Sequence, residues 1–578
     1  FSLCKTIDSP YSLGVWLLVK YKQYDQLIEQ SITPENYLQH DTFVFSMDYM
    51  LSVLLTKYSF NNHLLHKLNT KQKAIESFIE NERLSRNTLR RLKTFESLSL
   101  SREVESILFL AQRKVGNLIG YLPEHHVFSD LASWGPGVTK SIKGNNNTHL
   151  GKLTEFPVRI SESAWQFHSN MVSHEIIYLN TVMNLDTSGP CCPLKENYIF
   201  DEVASLVFVP KNAKTDRCIT VEPTGNVYCQ MAIGRYLRSR LMYVGVDLTD
   251  QTRNQELARD AINKHLATID LSSASDSITY GLIDRLFPVQ WADLLYDLAL
   301  HSFEIEDHVY PSARWAGMGN ATVFPVETLI FWALTSSCCE ISHISDKDIS
   351  VYGDDIICPR EVVPLLKRVM EFCGFRLNEK KTHTDGLFFE SCGKHYFNGV
   401  DVTPIYIRSS LNHPLHFVHL YNSIYRWGNN VGSVVFDKTL KYIRSLFDER
   451  INKDFNQPED IESDFAFIES EDYPFRAAAL SIQPRKEHIL ISDSEAYHFY
   501  LWFFRINQSF PDDHVIRFDL TNLSEVEFPI SLVKNNKDDM DYFDGHKMII
   551  RPFKPTFLVK RIIYENIFGV WTVRKRKE

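Results

Sequence analysis

Val351-Tyr352-Gly353-Asp354-Asp355-Ile356-Ile357 sets two carboxylates side by side between two apolar runs. Apolar residues around a Gly-Asp pair predict strand, two-residue turn, strand. Adjacent carboxylates at a hairpin tip repel each other, and local folding gives no reason to place them there. A bound cation would relieve the repulsion. Two Mg²⁺ ions held by such acids can activate a hydroxyl and stabilise a leaving oxyphosphate. Taken alone the pair is only an Asp-rich turn, a common feature, so the rest of the chain has to decide.

At 578 residues the chain is more than one compact unit, or one large enzyme with subdomains. Its 44% hydrophobic and 13% aromatic content supports a substantial core. The net charge of -10 argues against a protein that coats nucleic acid everywhere. A locally basic channel stays compatible with it, because steering depends on where charge lies. The adjacent pairs Cys191-Cys192 and Cys338-Cys339 suit neither bridging nor zinc, which predicts free thiols in a reducing cytoplasm. No stretch is apolar for the roughly 20 residues of a bilayer span, so no membrane association is expected. No signal peptide is recognisable, and the first residue, Phe1, is what a trimmed or partial N-terminus would show.

Residues 1–125 read as mainly helical. Phe43, Met47, Met50, Leu51 and Leu54 share one helical face. Val104, Ile107, Leu108, Ala111, Val115, Leu118, Ile119 and Leu122 share another, with Pro123 as the stop. Arg86, Arg90, Arg91 and Lys93 between them read as a solvated basic face, with RNA phosphate contact as the alternative. Residues 134–152 have loop composition with Lys140, Lys143 and Lys152 interleaved. They read as a surface loop, or as a mobile loop over a nucleic-acid channel.

The middle of the chain carries the chemistry. Residues 206–210 and 218–221 read as strands, and Lys211, Lys214 and Arg217 recur every third residue between them. Such a basic finger can hold a triphosphate; a solvated loop is equally compatible. Residues 266–270 read as a short apolar strand ending in Asp270, where a rigid strand would present the acid to a metal. Asp276 either caps a following helix or accepts a hydrogen bond from a ribose hydroxyl or from a neighbour that reads one. Gly317 and Gly319 precede a helix from about Pro325 and permit close backbone approach to a substrate. Asn320 beside them can hydrogen-bond a 2′-hydroxyl. Val362, Leu365, Leu366, Val369 and Phe372 predict a helix ended by Gly374. Cys392 and His395 lack a second pair at finger spacing, so zinc is rejected. Residues 413–449 read as helical, their aromatics Phe417, Tyr421, Tyr425 and Trp427 as core. The acidic 459–472 reads as a solvated loop and Arg574-Lys575-Arg576-Lys577 as a frayed tail or an RNA contact.

Four segments, in order, resemble the motifs of RNA-directed RNA polymerases, and more narrowly the replicase catalytic (beta) subunit of leviviruses, the single-stranded RNA bacteriophages. They are 209–219, 270–278, Met318-Gly319-Asn320 and Tyr352-Gly353-Asp354-Asp355; 246–252 and 390–396 add to them. The resemblance covers about 200–408. It implies an α+β right-hand fold with an antiparallel palm sheet and helices. On that reading 1–125 is a helical N-terminal region touching fingers and thumb, and 126–262 is fingers. Residues 263–400 are then palm, and 401–578 thumb and C-terminal region.

The resemblance further implies two-metal nucleotidyl transfer on a phage genome, with pyrophosphate released. Asp270, Asp354 and Asp355 would hold two Mg²⁺, with Mn²⁺ as a substitute. Lys211, Lys214 and Arg217 would grip the triphosphate. Asp276, Gly319 and Asn320 would form the nucleotide site, and Lys380 or Lys381 would protonate the leaving group. Implied partners are single-stranded RNA template, nascent RNA and ribonucleoside triphosphates. Host elongation factors Tu and Ts and a ribosomal protein are also implied, in the cytoplasm of the infected bacterium. Ala316-Gly317 departs from related phage enzymes, which carry a serine before Met-Gly-Asn, so a hydroxyl donor is missing from that loop.

Two other readings compete. A reverse transcriptase also pairs aspartates on a palm hairpin, but places a bulky aromatic where ribose would sit; Asp276 and Asn320 are polar. A non-catalytic RNA-binding scaffold with a dead palm would have little use for three retained aspartates, since grouped like charges without a metal are costly.

Overall fold

Helix Arg102–Ile119 buries Val104, Ile107, Leu108, Ala111, Val115, Leu118 and Ile119, as the 3.6-residue period predicts. It stops at Gly120, which adopts left-handed backbone (φ 69°) three residues before Pro123; the glycine, not the proline, ends it. The helix lies along Val323–Ile341, in which Val326, Leu329, Ile330, Ala333 and Leu334 are fully buried. That second helix is apolar on nearly every side and forms the axis of the largest core.

The computed structural model describes residues 1–446 apart from 59–68, 94–101, 145–146, 148, 186–190, 306–307, 409–410, 412–413 and 433–435, and past 446 only short strands. The tail 574–577 and most of the acidic stretch 459–472 lie outside the described residues.

Beside the axial helix, three antiparallel strands run in the order Leu266–Ile269, Asp355–Pro359, Ser350–Tyr352. Ile269 stands opposite Ile356, and Tyr352 opposite Asp355. Apolar side chains on both faces explain the unbroken hydrophobic runs: one face meets the axial helix, and the other lies under Leu257, Ala258 and Phe389. A second sheet has the order Asp216–Val221, Ala204–Pro210, Ser302–Ile305, His308–Pro311. Its first two strands form an antiparallel hairpin closed at Pro210 opposite Asp216, so residues 211–215 are the tip.

Helix Val363–Cys373 ends at Gly374 (φ 98°) as read from the sequence. Arg91 was expected on a solvated or RNA-facing surface. Instead it donates to the terminal carbonyls of Glu371 and Phe372 and covers the Phe372 ring, because a guanidinium satisfies the orphan acceptors of a helix end. Arg86 likewise reaches the Pro311 carbonyl. Both sit on helix Thr70–Lys93, which crosses the core surface.

Helix Thr42–Val53 buries Met47, Met50 and Leu51, but Phe43 is exposed and Phe45 takes the buried place. Phe45 stacks on Phe397 with ring centroids 4.1 Å apart, so the helix has two apolar faces, one for each neighbour. Its other neighbours come from far along the chain. Leu3, Val15, Leu27, Met50 and Leu51 share a core with Tyr421, Ile424, Trp427 and Leu440 on helices Pro414–Asn430 and Asp437–Ser445. The described ends of 134–152 are pinned inward: Trp134 and Lys152 are buried, and the Lys152 ammonium donates to the carbonyls of Gly135 and Gly137. The fold is thus α+β, a helical mass around small sheets. Among the described residues no helix is long and apolar enough to cross a membrane.

Candidate active site

The turn Gly353-Asp354 closes the central hairpin, and Gly353 is needed there on two counts. Its φ is 62°, and an added Cβ would lie 2.5 Å from the Phe324 ring. Gly353 donates its N–H to Thr328 Oγ1 at 3.0 Å, which ties the turn to the axial helix. Asp354 lies at the tip, and Asp355 begins the strand that pairs with 266–269. Asp270, one residue past Ile269, therefore arrives beside them although the sequence sets it far away.

The electrostatics follow from the convergence. Burial and then the Asp270 carboxylate raise the Asp354 pKa. Burial, Asp354 and Asp270, in that order, push Asp355 up to about 7. Asp270 itself is held on both oxygens, by Asn378 Nδ2 at 3.1 Å and Lys381 Nζ at 2.8 Å. Burial opposes the Lys381 ammonium, yet Glu390, Asp270 and Asp355 together hold its pKa above the usual lysine range. Glu390 continues inward to His395 Nδ1 at 3.0 Å, and the Tyr49 hydroxyl lies 2.7 Å from the same nitrogen. His395 thus belongs to a polar network behind the carboxylates.

Among the described residues, no three His, Cys, Asp or Glu side chains already enclose a point that an ion would fill. The donor chemistry nonetheless fits a hard divalent cation: the candidate ligands are carboxylate oxygens, and their mutual repulsion is the excess negative charge that such a cation would neutralise.

Lys211 stands close enough to be coupled to Asp270 and Asp354. Although Lys211 is exposed, its pKa is lowered by partial desolvation first, then by Arg217 and Lys381. Lys214 turns away to Glu29 at 2.7 Å. Two cations that sequence reading did not single out join this group. Lys57 is coupled to Arg408, Lys381 and Arg217, and its ammonium lies 4.3 Å over the Tyr406 ring. Backbone hydrogen bonds from Ala213 to Thr56 and from Ile407 to Leu54 bring these segments together. The arginines on the next helix, Thr224–Leu241, are structural: Arg235 donates to the carbonyls of Leu131 and Ala132, Arg238 to Leu248, and Arg240 to Leu118.

Asp276 lies in the short turn Ser275–Ser277; Thr279, not Asp276, caps the helix Tyr280–Leu286. Its carboxylate accepts from Arg314 Nη1 at 2.6 Å. Gly317 and Gly319 admit protein: Cβ atoms there would lie 2.3 Å from the Thr220 side chain and 2.2 Å from its carbonyl. Thr220 N–H donates to the Met318 carbonyl, locking the loop to the basic hairpin. Asn320 is buried, with its amide N–H donating to Glu222 and its oxygen accepting from Thr322. Glu222 is fully enclosed and pushed up to about 7 by burial, against the hydrogen bonds from Gln230 and Asn320. Lys380 is exposed and makes no ion pair among the described residues.

Sequence reading missed Glu327. Burial, then Asp354 and Asp276, raise its pKa well above the carboxylate range. It also missed Arg314 and Glu82. No local pattern marks that pair, because its members lie in segments joined only by the fold.

A family model described as RNA replicase, beta-chain, matches residues 21–469. The chain is 37% identical over 411 residues to the RNA-directed RNA polymerase subunit beta of Enterobacteria phage SP, covering 69% of this chain and 68% of that one. It is 35% identical over 390 residues to the subunit of the same name from Escherichia virus Qbeta, covering 66% and 62%. Over 236 residues it is 39% identical to the RNA-directed RNA polymerase beta chain of Escherichia phage MS2, covering 40% and 43%. The aligned part thus spans about two thirds of the first two relatives and less than half of the third.

Proposed function

The chain belongs to the RNA replicase beta-chain family, a family of RNA-directed RNA polymerase subunits, and from that premise we propose that it copies single-stranded phage RNA by nucleotidyl transfer at Asp270, Asp354 and Asp355. The observation that carries this is the arrival of Asp270 beside the Asp354-Asp355 tip across one antiparallel sheet. Two Mg²⁺ ions bound by these carboxylates, or Mn²⁺ in their place, would lower the pKa of the 3′-hydroxyl and neutralise charge on the triphosphate.

The protein's own groups do the rest. Lys211 and Arg217, with Lys57 and Arg408 nearby, hold the triphosphate and screen the pyrophosphate as it leaves. Lys381 orients Asp270. Lys380 or Lys381 would protonate the leaving pyrophosphate. Asp276 accepts the ribose 2′-hydroxyl. In right-hand terms the 263–400 sheet and helices are palm and the 204–221 hairpin is fingers. The helices near 414–446, backed by the N-terminal helices, begin the thumb. Template RNA, nascent strand and ribonucleotides are the substrates, in the infected bacterium, with host translation proteins as assembly partners.

The test is incorporation of labelled ribonucleotide against deoxyribonucleotide on a single-stranded RNA template, with Mg²⁺ or chelator, and with host extract in parallel. Ribonucleotide incorporation abolished by chelator is expected. Deoxyribonucleotide preference, or RNA binding without synthesis in every condition, would overturn the reading.

A further inference from the structure

Arg314 is almost wholly buried, with its guanidinium 3.9 Å from the centroid of the Phe78 ring. Nη1 donates to Asp276 Oδ1 at 2.6 Å and Nε to Glu82 Oε2 at 3.2 Å. Glu82 is itself buried, and its second oxygen accepts the Ala313 N–H. Arg86 Nε lies 3.5 Å from the other oxygen of Glu82, so two carboxylates and two guanidiniums are gathered at one largely buried place. Apolar residues of similar volume would stabilise the fold at least as well, so stability alone does not account for the arrangement.

Its location points to the nucleotide. Asp276 is electrostatically coupled to Cys218 on the basic hairpin and to Glu327, and an oxygen of Glu327 lies where a Cβ on Gly353 would touch it. Asp276 therefore stands between the basic hairpin and the aspartate turn. Oδ1 is taken by Arg314, while among the described residues Oδ2 has no hydrogen-bond partner. Asn320, the other candidate reader of ribose, is committed to Glu222 and Thr322.

We infer that the Glu82–Arg314 pair is a positioning device that fixes the Asp276 carboxylate with Oδ2 turned to the ribose 2′-hydroxyl, so that Arg314 sets ribose selectivity without touching substrate. This rests on the proposed role of Asp276. A carboxylate clamped through one oxygen reads a hydroxyl at a fixed place; a loose one accepts a deoxyribose site with water in it almost as well.

The experiment measures kcat/KM for ATP and for dATP on single-stranded RNA template, using the full chain with Mg²⁺ and host extract. The variants are Arg314→Met, Arg314→Lys, Glu82→Gln and Asp276→Ala, with thermal melting to confirm folding. Arg314→Met and Glu82→Gln are expected to lower the ATP:dATP ratio by about tenfold, with Arg314→Lys intermediate and Asp276→Ala at least as severe as Arg314→Met. If Arg314→Met does not fold, Glu82→Gln and Arg314→Lys decide. Asp276→Ala collapsing the ratio while the Arg314 and Glu82 variants keep it would make the pair purely structural and overturn the inference. An unchanged ratio in Asp276→Ala would refute the ribose role of Asp276 first, and the inference with it.

Discussion

Thr328 Oγ1 accepts the Gly353 N–H at 3.0 Å, so the turn that carries the aspartate pair is fastened to the buried axial helix Val323–Ile341. Thr328 in turn donates its hydroxyl proton to the Phe324 carbonyl one helical turn back. The tip of the hairpin is therefore tied to the helix behind it, which suits groups whose spacing decides their chemistry.

Gly353→Ala should cost about 2–4 kcal/mol and most of the activity, because it combines a left-handed backbone with a collision against Phe324. Denaturant melting and an incorporation assay check both. A variant of parental stability and rate would show that the turn is not held as described.

Asp270→Asn and Asp354→Asn should each lower RNA synthesis by at least about a hundredfold while leaving template affinity near the parent value. Filter binding alongside incorporation separates the two. Equal loss of both would sink the catalytic assignment.

Arginines of the basic hairpin and of the helix after it should divide into two kinds. Arg217→Ala is expected to raise the KM for nucleotide with little change in melting temperature, since its side chain is exposed and coupled to Lys211. Arg240→Ala should do the reverse, since it donates to the Leu118 carbonyl at a helix end and costs about 1 kcal/mol when removed. Steady-state kinetics and thermal melts on both variants test the division.

Glu327→Gln should stabilise the protein, and more so as pH rises. The folded-state pKa of Glu327 lies above its unfolded value, so its contribution is fully present below about pH 4.5 and is lost as pH rises through the raised pKa. The neutral amide escapes that loss. Melting temperatures at pH 5 and pH 8 should differ less in the variant than in the parent; equal pH dependence would mean that Glu327 is not the buried acid described.

Local signals carried far in this chain. The stripe on 102–119, the strand before Asp270, the hairpin at 351–357 and the glycine stop after Cys373 each follow from periodicity or backbone preference within a few residues. What stayed hidden is long-range. Nothing near Phe45 says that Phe397 awaits it, nothing near Arg314 points to Glu82, and Arg91 and Arg240 look like surface charges until the helix ends they satisfy are in view. The glycines before Asn320 read as places where a substrate comes close; the group found beside them is Thr220. Sequence spacing reports how much room a backbone leaves, not what fills it.

The core shared by residues 3–54 and 421–443 has a consequence for how the protein is made. On the ribosome the first helices emerge with Leu3, Met50 and Leu51 uncovered, and their partners Tyr421 and Trp427 follow only after most of the chain has been translated. At roughly 5–20 residues per second that interval lasts tens of seconds. During it an oily surface must be shielded by a chaperone or by provisional contacts. A ribosome that stalls before residue 420 would release a fragment whose opening helices lack the cover of Tyr421 and Trp427.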